Sequence, residues 1–288
     1  MQNQTAMLVA PPVVKMTELK NLFIQLSSKT CNLKCKYCYI ERNEFSNQED
    51  FIDFEKIKQA LLDIKKQKLN SIYLTGGEPL MHPDFNKILR MCLKLSDTTV
   101  MSNGIMINDK KARFLKKIDD ESDFETIYRI SLDSVDELEN DSIRGRGSFR
   151  KALSAIFSLI KYEFNPIISV VNYKNKSREE IFDEFSKYFS KKGYELEDIN
   201  LKIIPYFSRD MKNSQPEEIE QQEMNFLDCK TSRILTSSGI YACPMLADDY
   251  RAKLGTSLKD FSNVNYLECE KCSLCVKTKS KIMVNDWM

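Results

Sequence analysis

Six short apolar runs lie along the chain, and each has the length of a buried β-strand. The runs cover residues 22–26, 72–74, 98–101, 127–132, 167–171 and 201–204. Apolar runs of this length, bounded by polar or turn-forming residues, predict strands.

The segments between these runs carry apolar residues at the spacing of one helix face. Four groups have this spacing: Ile57, Leu61 and Ile64; Phe85, Ile88 and Leu89; Phe149, Leu153, Ile156 and Ile160; Ile181, Phe185 and Phe189. Strand and helix therefore alternate, which calls for a parallel sheet with crossover helices. Six such units suit an incomplete barrel or a doubly wound sheet, so the predicted fold class is α/β.

Polar motifs lie at the carboxyl ends of the first four predicted strands. The cysteine run CNLKCKYC (31–38) follows the first strand, and TGGEP (75–79), MSNG (101–104) and SLDS (131–134) end the next three. In both architectures the functional loops follow the carboxyl ends of strands. We therefore expect the four motifs to converge on one face.

The three cysteines of the first motif, Cys31, Cys35 and Cys38, have the spacing of metal-cluster ligands. A cuboidal [4Fe-4S] cluster normally takes four thiolates, and this loop offers three, so one iron would stay open. The alternative is a structural zinc knuckle, which requires a fourth protein ligand. The nearest candidate is His82, the only histidine, which is far away in the sequence.

Composition excludes several function classes. The 43 Lys and Arg residues nearly balance the 42 Asp and Glu residues, so no overall field favours nucleic acid or an acidic membrane. We find no signal peptide and no apolar stretch near the roughly 18 residues of a membrane span, and we expect a cytoplasmic protein. Most cysteines fall into two groups, which in a reducing cytosol favours metal ligation. Cys92 is the exception, and we expect a small buried hydrophobe there.

The cysteine motif resembles the signature of the radical S-adenosylmethionine (SAM) superfamily, C-x3-C-x-aromatic-C, with Tyr37 in the aromatic position. The resemblance implies a partial (β/α)6 TIM-type barrel whose open iron chelates the amino and carboxylate groups of SAM. It further implies that one electron from the cluster cleaves SAM to methionine and a 5′-deoxyadenosyl radical, which abstracts a substrate hydrogen. A one-electron reductant such as flavodoxin or ferredoxin is the implied partner.

The GGEP motif resembles the family motif that holds the SAM amino group, which assigns Gly76, Gly77 and Glu78 to SAM. The segment 130–153 resembles the branch with sulfatase and peptide maturases, in which a Ser and an Arg meet the SAM carboxylate. Here these would be Ser131 and Arg144.

Several polar residues near these motifs are further candidates. Arg146 can substitute for Arg144, because RGRG offers two arginines. Asn103 and Asp133 are candidates for contact with the ribose or the substrate, and Asn172 is a third. Each of these three residues can instead cap a turn.

A second group of cysteines lies near the end of the chain. Cys229 and Cys243 flank a predicted hairpin turned by Ser-Ser-Gly, and Cys269, Cys272 and Cys275 follow as C-x2-C-x2-C. This layout resembles the SPASM and shorter twitch domains of the same superfamily. It implies one auxiliary [4Fe-4S] cluster on Cys229, Cys243, Cys269 and Cys272, with Cys275 either a spare or the true fourth ligand. Zinc is the alternative, since all-thiolate tetrahedral sites accept both metals.

The predicted organisation is a barrel at 1–207, a connector at 208–224 and a small cysteine-rich auxiliary cluster domain at 225–288. The first functional hypothesis is a radical SAM oxidoreductase-like enzyme that modifies a peptide or protein. About 20 residues precede the first strand, so we expect none of the N-terminal domain with which many such relatives bind a leader peptide. The alternatives are a dehydrogenase or epimerase of a sugar or aminocyclitol, and a non-catalytic iron–sulfur or zinc protein used in sensing or electron transfer.

Overall fold

The strands of the computed structural model follow the predicted order. The structure describes residues 11–38, 40, 50–206, 227–247, 249–268, 270–278 and 283–285. The strands are β1 (Val13–Lys15), β2 (Asn21–Gln25), β3 (Ser71–Thr75), β4 (Thr98–Ser102), β5 (Thr126–Ser131), β6 (Ile167–Asn172), β7 (Leu201–Pro205), β8 (Ser232–Thr236), β9 (Gly239–Tyr241), β10 (Lys253–Ser257), β11 (Asp260–Phe261) and β12 (Val264–Tyr266). Strands β2 to β7 pair in parallel in chain order. Each overlaps one predicted strand, which confirms the α/β class.

Helices connect these parallel strands. They are α1 (Phe54–Ile64), α2 (Phe85–Cys92), α3 (Asp109–Asp120), α4 (Glu137–Arg144), α5 (Ser148–Lys161), α6 (Arg178–Ser190) and, near the end of the chain, α7 (Glu270–Thr278). The four predicted helical stripes lie on α1, α2, α5 and α6 and are mostly buried.

Helix α4 was not predicted, because its sequence is polar. Asp136 caps its start, where the side chain accepts a hydrogen bond from the backbone N–H of Glu139, and Gly145, with φ at 119°, follows its last residue. A carboxylate at the start and a glycine in the left-handed region at the end are ordinary helix boundaries. This helix carries Arg144 at its last position.

The cysteine-rich tail extends the parallel sheet. Strand β8 pairs in parallel with β2, and β9, β10 and β11 continue the sheet in antiparallel fashion. Strand β1 pairs with β12, so the start of the described chain is also joined to the tail. The predicted hairpin is therefore present as β8 and β9. The predicted connector at 208–224 lies outside the described residues.

The two faces of the sheet pack against different partners. Leu22 and Ile24 of β2 belong to the core shared with the helices, whereas Phe23 faces the tail together with Tyr73. The rings of Phe23 and Tyr73 stack with centroids 4.4 Å apart. No helix in the described part of the chain is long and apolar enough to cross a membrane.

Candidate functional site

The loops at the carboxyl ends of the parallel strands surround a cavity of about 150 Å³. Its lining includes Cys31, Cys35, Tyr37, Cys38, Gly76, Gly77, Asn103, Ser131 and Arg144. The expected convergence of the four motifs is therefore confirmed. Two predicted site residues, Glu78 and Asp133, lie behind this lining and support it.

Asp50 fixes the start of the cysteine loop. Its Oδ1 accepts hydrogen bonds from the Lys29 and Thr30 backbone N–H groups at 2.8 and 2.9 Å and from the Ser27 hydroxyl at 2.9 Å. Burial raises the pKa of Asp50, but the hydrogen bonds from Thr30, Ser27 and Lys29 outweigh it and lower the pKa overall. Sequence reasoning missed this residue, because nothing local links an aspartate to a loop some 20 residues before it.

The paired glycines let the end of β3 approach the cysteine loop. The Gly77 and Glu78 backbone N–H groups donate to the Ser27 and Thr30 carbonyls at 3.0 and 3.1 Å. A Cβ atom on Gly77 would lie 2.1 Å from the Thr30 carbonyl oxygen, and one on Gly76 would lie 2.6 Å from that of Ser27. Only glycine permits this approach without moving the backbone.

Glu78 joins the ends of β3 and β4. The residue is 1% exposed, and its carboxylate accepts hydrogen bonds from the Leu80 N–H, the Ser102 hydroxyl and the Asn103 N–H at 3.2, 2.8 and 2.9 Å. Burial raises its pKa, and these donors oppose that shift. The carboxylate therefore has a structural role beneath the cavity, and its contact with SAM stays a prediction.

Asn103 connects β4 to the cysteine loop. Its Nδ2 donates to Asn32 Oδ1 at 2.7 Å and lies 3.7 Å from Cys31 Sγ, while its Oδ1 accepts the Ile105 N–H at 2.9 Å. Asn32 was not among the predicted residues. An amide donor beside a thiolate stabilises the negative charge on sulfur.

Tyr37, Asp133 and Arg144 form one buried polar group. Arg144 Nη1 lies 3.0 Å from Asp133 Oδ2 and also donates to the Tyr37 hydroxyl, which in turn donates to Asp133. Burial lowers the pKa of Arg144, but Tyr37 and Asp133 beside it raise it overall. The other Asp133 oxygen accepts the Val171 N–H at 2.9 Å, and Cys35 Sγ lies 3.8 Å from the Arg144 carbonyl oxygen. The group thus joins the cysteine loop to β6 and α4.

The remaining candidate residues differ in whether they line the first cavity. Ser131 lines the cavity, whereas Arg146 is exposed and does not. Asn172 caps its own turn, since its Nδ2 donates to the Lys176 carbonyl at 2.7 Å and its Oδ1 accepts the Lys176 N–H at 3.0 Å. Cys92 is fully buried in α2, as expected.

Four tail cysteines line a second cavity of about 30 Å³: Cys229, Cys243, Cys272 and Cys275. Cys229 and Cys243 flank the β8–β9 hairpin, and the other two lie on α7. Burial raises the pKa of Cys229 to about 11 and that of Cys243 to about 12. Cys275, predicted as a spare or the true fourth ligand, thus lies with Cys229, Cys243 and Cys272, and Cys269 lies outside the described residues.

The donor sets fit iron–sulfur clusters. Eight cysteines in the described ranges are present as thiols. Within those ranges, no three His, Cys, Asp or Glu side chains converge on the position of a single metal ion. Thiolates are the ligands that iron–sulfur clusters take, and each thiol set borders its own cavity.

The chain is similar in sequence to several curated proteins. It is 32% identical over 185 residues to a probable GTP 3′,8-cyclase of Methanocella arvoryzae, covering 64% of this chain and 57% of that protein. It is 35% identical over 129 residues to the subtilosin biosynthesis protein AlbA of Bacillus subtilis, covering 44% of this chain and 27% of that protein. A cysteine-type anaerobic sulfatase-maturating enzyme of Clostridium novyi is 29% identical over 225 residues, covering 70% of this chain and 56% of that protein. The chain thus spans 27% to 57% of the length of these relatives.

Solved structures share the fold. Native anSMEcpe with bound AdoMet has a TM-score of 0.63 at 18% identity, covering 82% of this chain and 77% of that one. Streptococcus suis SuiB bound to precursor peptide SuiA has a TM-score of 0.61 at 17% identity, covering 84% of this chain and 63% of that one. These structural neighbours are radical SAM enzymes with partial TIM barrels, in agreement with the predicted barrel.

A family model described as the radical SAM superfamily matches residues 26–185, which is more than half of the chain. The matched region begins just before the cysteine loop and extends into α6, so it includes each strand end that lines the first cavity from β3 to β6. The chain belongs to the radical SAM superfamily, whose enzymes use a [4Fe-4S] cluster and SAM.

Proposed function

We propose that this enzyme cleaves SAM reductively and abstracts a hydrogen atom from a peptide or protein that it modifies. The observation that carries the proposal is the common cavity of Cys31, Cys35 and Cys38 with the polar residues at the ends of β3, β4 and β5. Proteins that mature peptides or sulfatases are among those similar in sequence, and a neighbour in fold is bound to a precursor peptide.

The residues around the first cavity have complementary roles in this proposal. The three cysteines hold the cluster, and Gly76, Gly77, Asn103 and Ser131 contact SAM with Tyr37 and Arg144 beside them. A cluster bound there would supply one-electron reduction: with an external reductant, SAM would be cleaved to methionine and a 5′-deoxyadenosyl radical, and this radical would become 5′-deoxyadenosine by taking a substrate hydrogen atom. The planar guanidinium of Arg144 suits the SAM carboxylate. A flavodoxin or ferredoxin is the proposed reductant.

The tail thiols hold the proposed auxiliary [4Fe-4S] cluster. Cys229, Cys243, Cys272 and Cys275 border one small cavity, and these are the four ligands that a cuboidal cluster requires. Cys269, the remaining tail cysteine, lies outside the described residues, and its role as a ligand stays a prediction.

A nucleotide is the second candidate substrate, because a probable GTP 3′,8-cyclase is 32% identical over 185 residues. The sugar or aminocyclitol alternative stays a prediction. The non-catalytic alternative is wrong, since the chain belongs to the radical SAM superfamily and its homologues are enzymes.

Hydrogen transfer from defined pools tests the proposal. The anaerobically reconstituted and reduced protein would be incubated with SAM and a peptic digest of uniformly deuterated cell protein, or with deuterated GTP. We expect 5′-deoxyadenosine to form and to acquire deuterium from the digest. Absence of 5′-deoxyadenosine would refute the proposed radical chemistry. Deuterium transfer from GTP alone would identify a nucleotide, and not a peptide, as the substrate.

A further inference from the structure

The lining of the first cavity combines polar and apolar residues. The cysteine loop and the ends of β3, β4 and β5 contribute thiols, glycine backbone and polar side chains. The apolar members of the lining include Met101 of β4, Val171 of β6, Ile204 of β7 and, from the tail, Met245 and Met283. The cavity therefore offers surfaces for both a polar and an apolar ligand group.

Met245 and Met283 stand between the two thiol sets. Both line the first cavity and also line the second cavity beside Cys229 and Cys243. Their exposed fractions are 5% and 2%. A group that contacts these methionines from the first cavity therefore lies one layer of side chains away from the auxiliary thiols.

The backbone that carries Met283 is fixed at several points inside the barrel. Its carbonyl accepts a hydrogen bond from Arg129 Nη1 at 2.7 Å, and its N–H donates to Asp228 Oδ2 at 2.8 Å. Two residues later, Asn285 donates to the Tyr73 hydroxyl and to Thr99 Oγ1, both at 3.0 Å.

The backbone of Met245 is fixed as well. Its carbonyl accepts a hydrogen bond from the buried Lys271 Nζ at 3.2 Å, and its N–H lies 3.4 Å from Cys243 Sγ. The thioether side chains are thus carried by a fixed backbone, yet they can adjust their torsions to the shape of an apolar ligand.

Charge is sparse among the described residues that line the first cavity. Among the described residues of its lining, Arg144 is the one cationic side chain, and it is paired with Asp133 at 3.0 Å. A triphosphate needs several cationic or backbone donors in this space. An isolated charge on the substrate would lose its hydration against the apolar side chains of the lining without gaining a partner, whereas an apolar group loses nothing there.

We propose that the group this enzyme presents to the radical is an uncharged, apolar amino-acid side chain, and that Met245 and Met283 determine this specificity. The inference rests on the proposed function, because it concerns the peptide substrate of the same cavity.

Selective labelling tests the inference apart from the function. One peptic digest would come from cells labelled with deuterated Leu, Ile, Val, Phe and Met, and a second from cells labelled with deuterated Asp, Glu, Lys and Arg. We expect deuterium in 5′-deoxyadenosine from the first digest only. Transfer from the second digest would overturn the inference and leave the peptide function intact. Transfer from the uniformly deuterated digest but from neither selective digest would also overturn the inference alone. Transfer from GTP alone would overturn both, and failure to form 5′-deoxyadenosine would refute the radical chemistry itself.

Matched variants connect the specificity to the two methionines. The Met245→Gln/Met283→Gln double variant keeps side-chain length but adds polar atoms, and it should bind the apolar-labelled digest about tenfold more weakly in saturation-transfer NMR. The Met245→Leu/Met283→Leu control should stay within about threefold of the wild type, since it conserves volume and character. Thermal unfolding would confirm that both variants fold. Equal binding by the Gln and Leu variants would contradict the assignment.

Discussion

Arg144 Nη1 lies 3.0 Å from Asp133 Oδ2, and this ion pair is almost entirely removed from solvent. The two residues come from the end of α4 and the segment after β5, and Tyr37 connects the pair to the cysteine loop. The pair therefore orients the guanidinium at the cavity and holds the loop that carries the three cysteines.

The first prediction concerns this ion pair. Asp133→Asn leaves a buried guanidinium without its carboxylate, so the free energy of unfolding should fall by about 3 kcal/mol in urea titrations of the apoprotein. Arg146→Gln is the control, because Arg146 is exposed, and it should change the free energy by less than about 0.5 kcal/mol. Equal stability of the two variants would show that the pair contributes little.

A second prediction follows from the contact at Gly77. In Gly77→Ala the new methyl group would lie 2.1 Å from the Thr30 carbonyl oxygen, so the backbone before Cys31 must move. We expect less iron at the first site and loss of SAM cleavage, measured by iron analysis and by 5′-deoxyadenosine formation. Gly193→Ala is the control: with φ at 79° it strains its own turn, but its Cβ atom meets nothing within 4 Å, so the iron content should not change. Normal iron content in Gly77→Ala would mean that the loop tolerates the shift.

The third prediction separates the two thiol sets. Cys35→Ala should abolish SAM cleavage, whereas Cys243→Ala should spare cleavage and stop product formation. Each should lower the iron content from about eight to about four atoms per chain. The buried Cys92 of α2 provides the control, and Cys92→Ala should retain the full iron content. Equal loss of cleavage in both cysteine variants would contradict separate roles.

The fourth prediction distinguishes the possible auxiliary ligands. Cys275 lines the second cavity with Cys229, Cys243 and Cys272. We expect Cys275→Ala to lose the auxiliary iron and Cys269→Ala to keep it, with iron analysis and electron paramagnetic resonance of the reduced protein as the measurements. The reverse result would restore Cys269 as the fourth ligand.

The fifth prediction concerns acid stability. Burial raises the pKa of Glu139, but hydrogen bonds from Lys174, Tyr173 and Ser134 outweigh it and lower the pKa from 4.5 to about 2. Because the folded pKa lies below the ordinary value, the stability that Glu139 contributes is present above pH 4.5 and is lost as the pH falls towards 2. The difference in urea midpoint between the wild type and Glu139→Gln should therefore shrink over this range. A constant difference would show that protonation of Glu139 does not cause a loss of stability over this pH range.

The sequence predicted the parts of the molecule that depend on local spacing. Apolar periodicity predicted the strands from β2 to β7, because burial of one face repeats along a helix and a strand with different periods. The spacing of Cys31, Cys35 and Cys38 predicted a cluster-binding loop, since three thiols within eight residues can reach one cluster without help from the rest of the fold. Strand polarity then predicted that the motif loops would meet at one edge of the sheet.

Only the tertiary structure determined which side chains contact one another. The pairing of Asp133 with Arg144, the support of the cysteine loop by Asp50 and the shared wall of Met245 and Met283 all join segments that are distant in sequence or separated by a turn. Such contacts leave no periodic signal, because they arise from the packing of whole elements. The inclusion of Cys275 in the second thiol set depends in the same way on the placement of α7 against the hairpin that extends the barrel sheet.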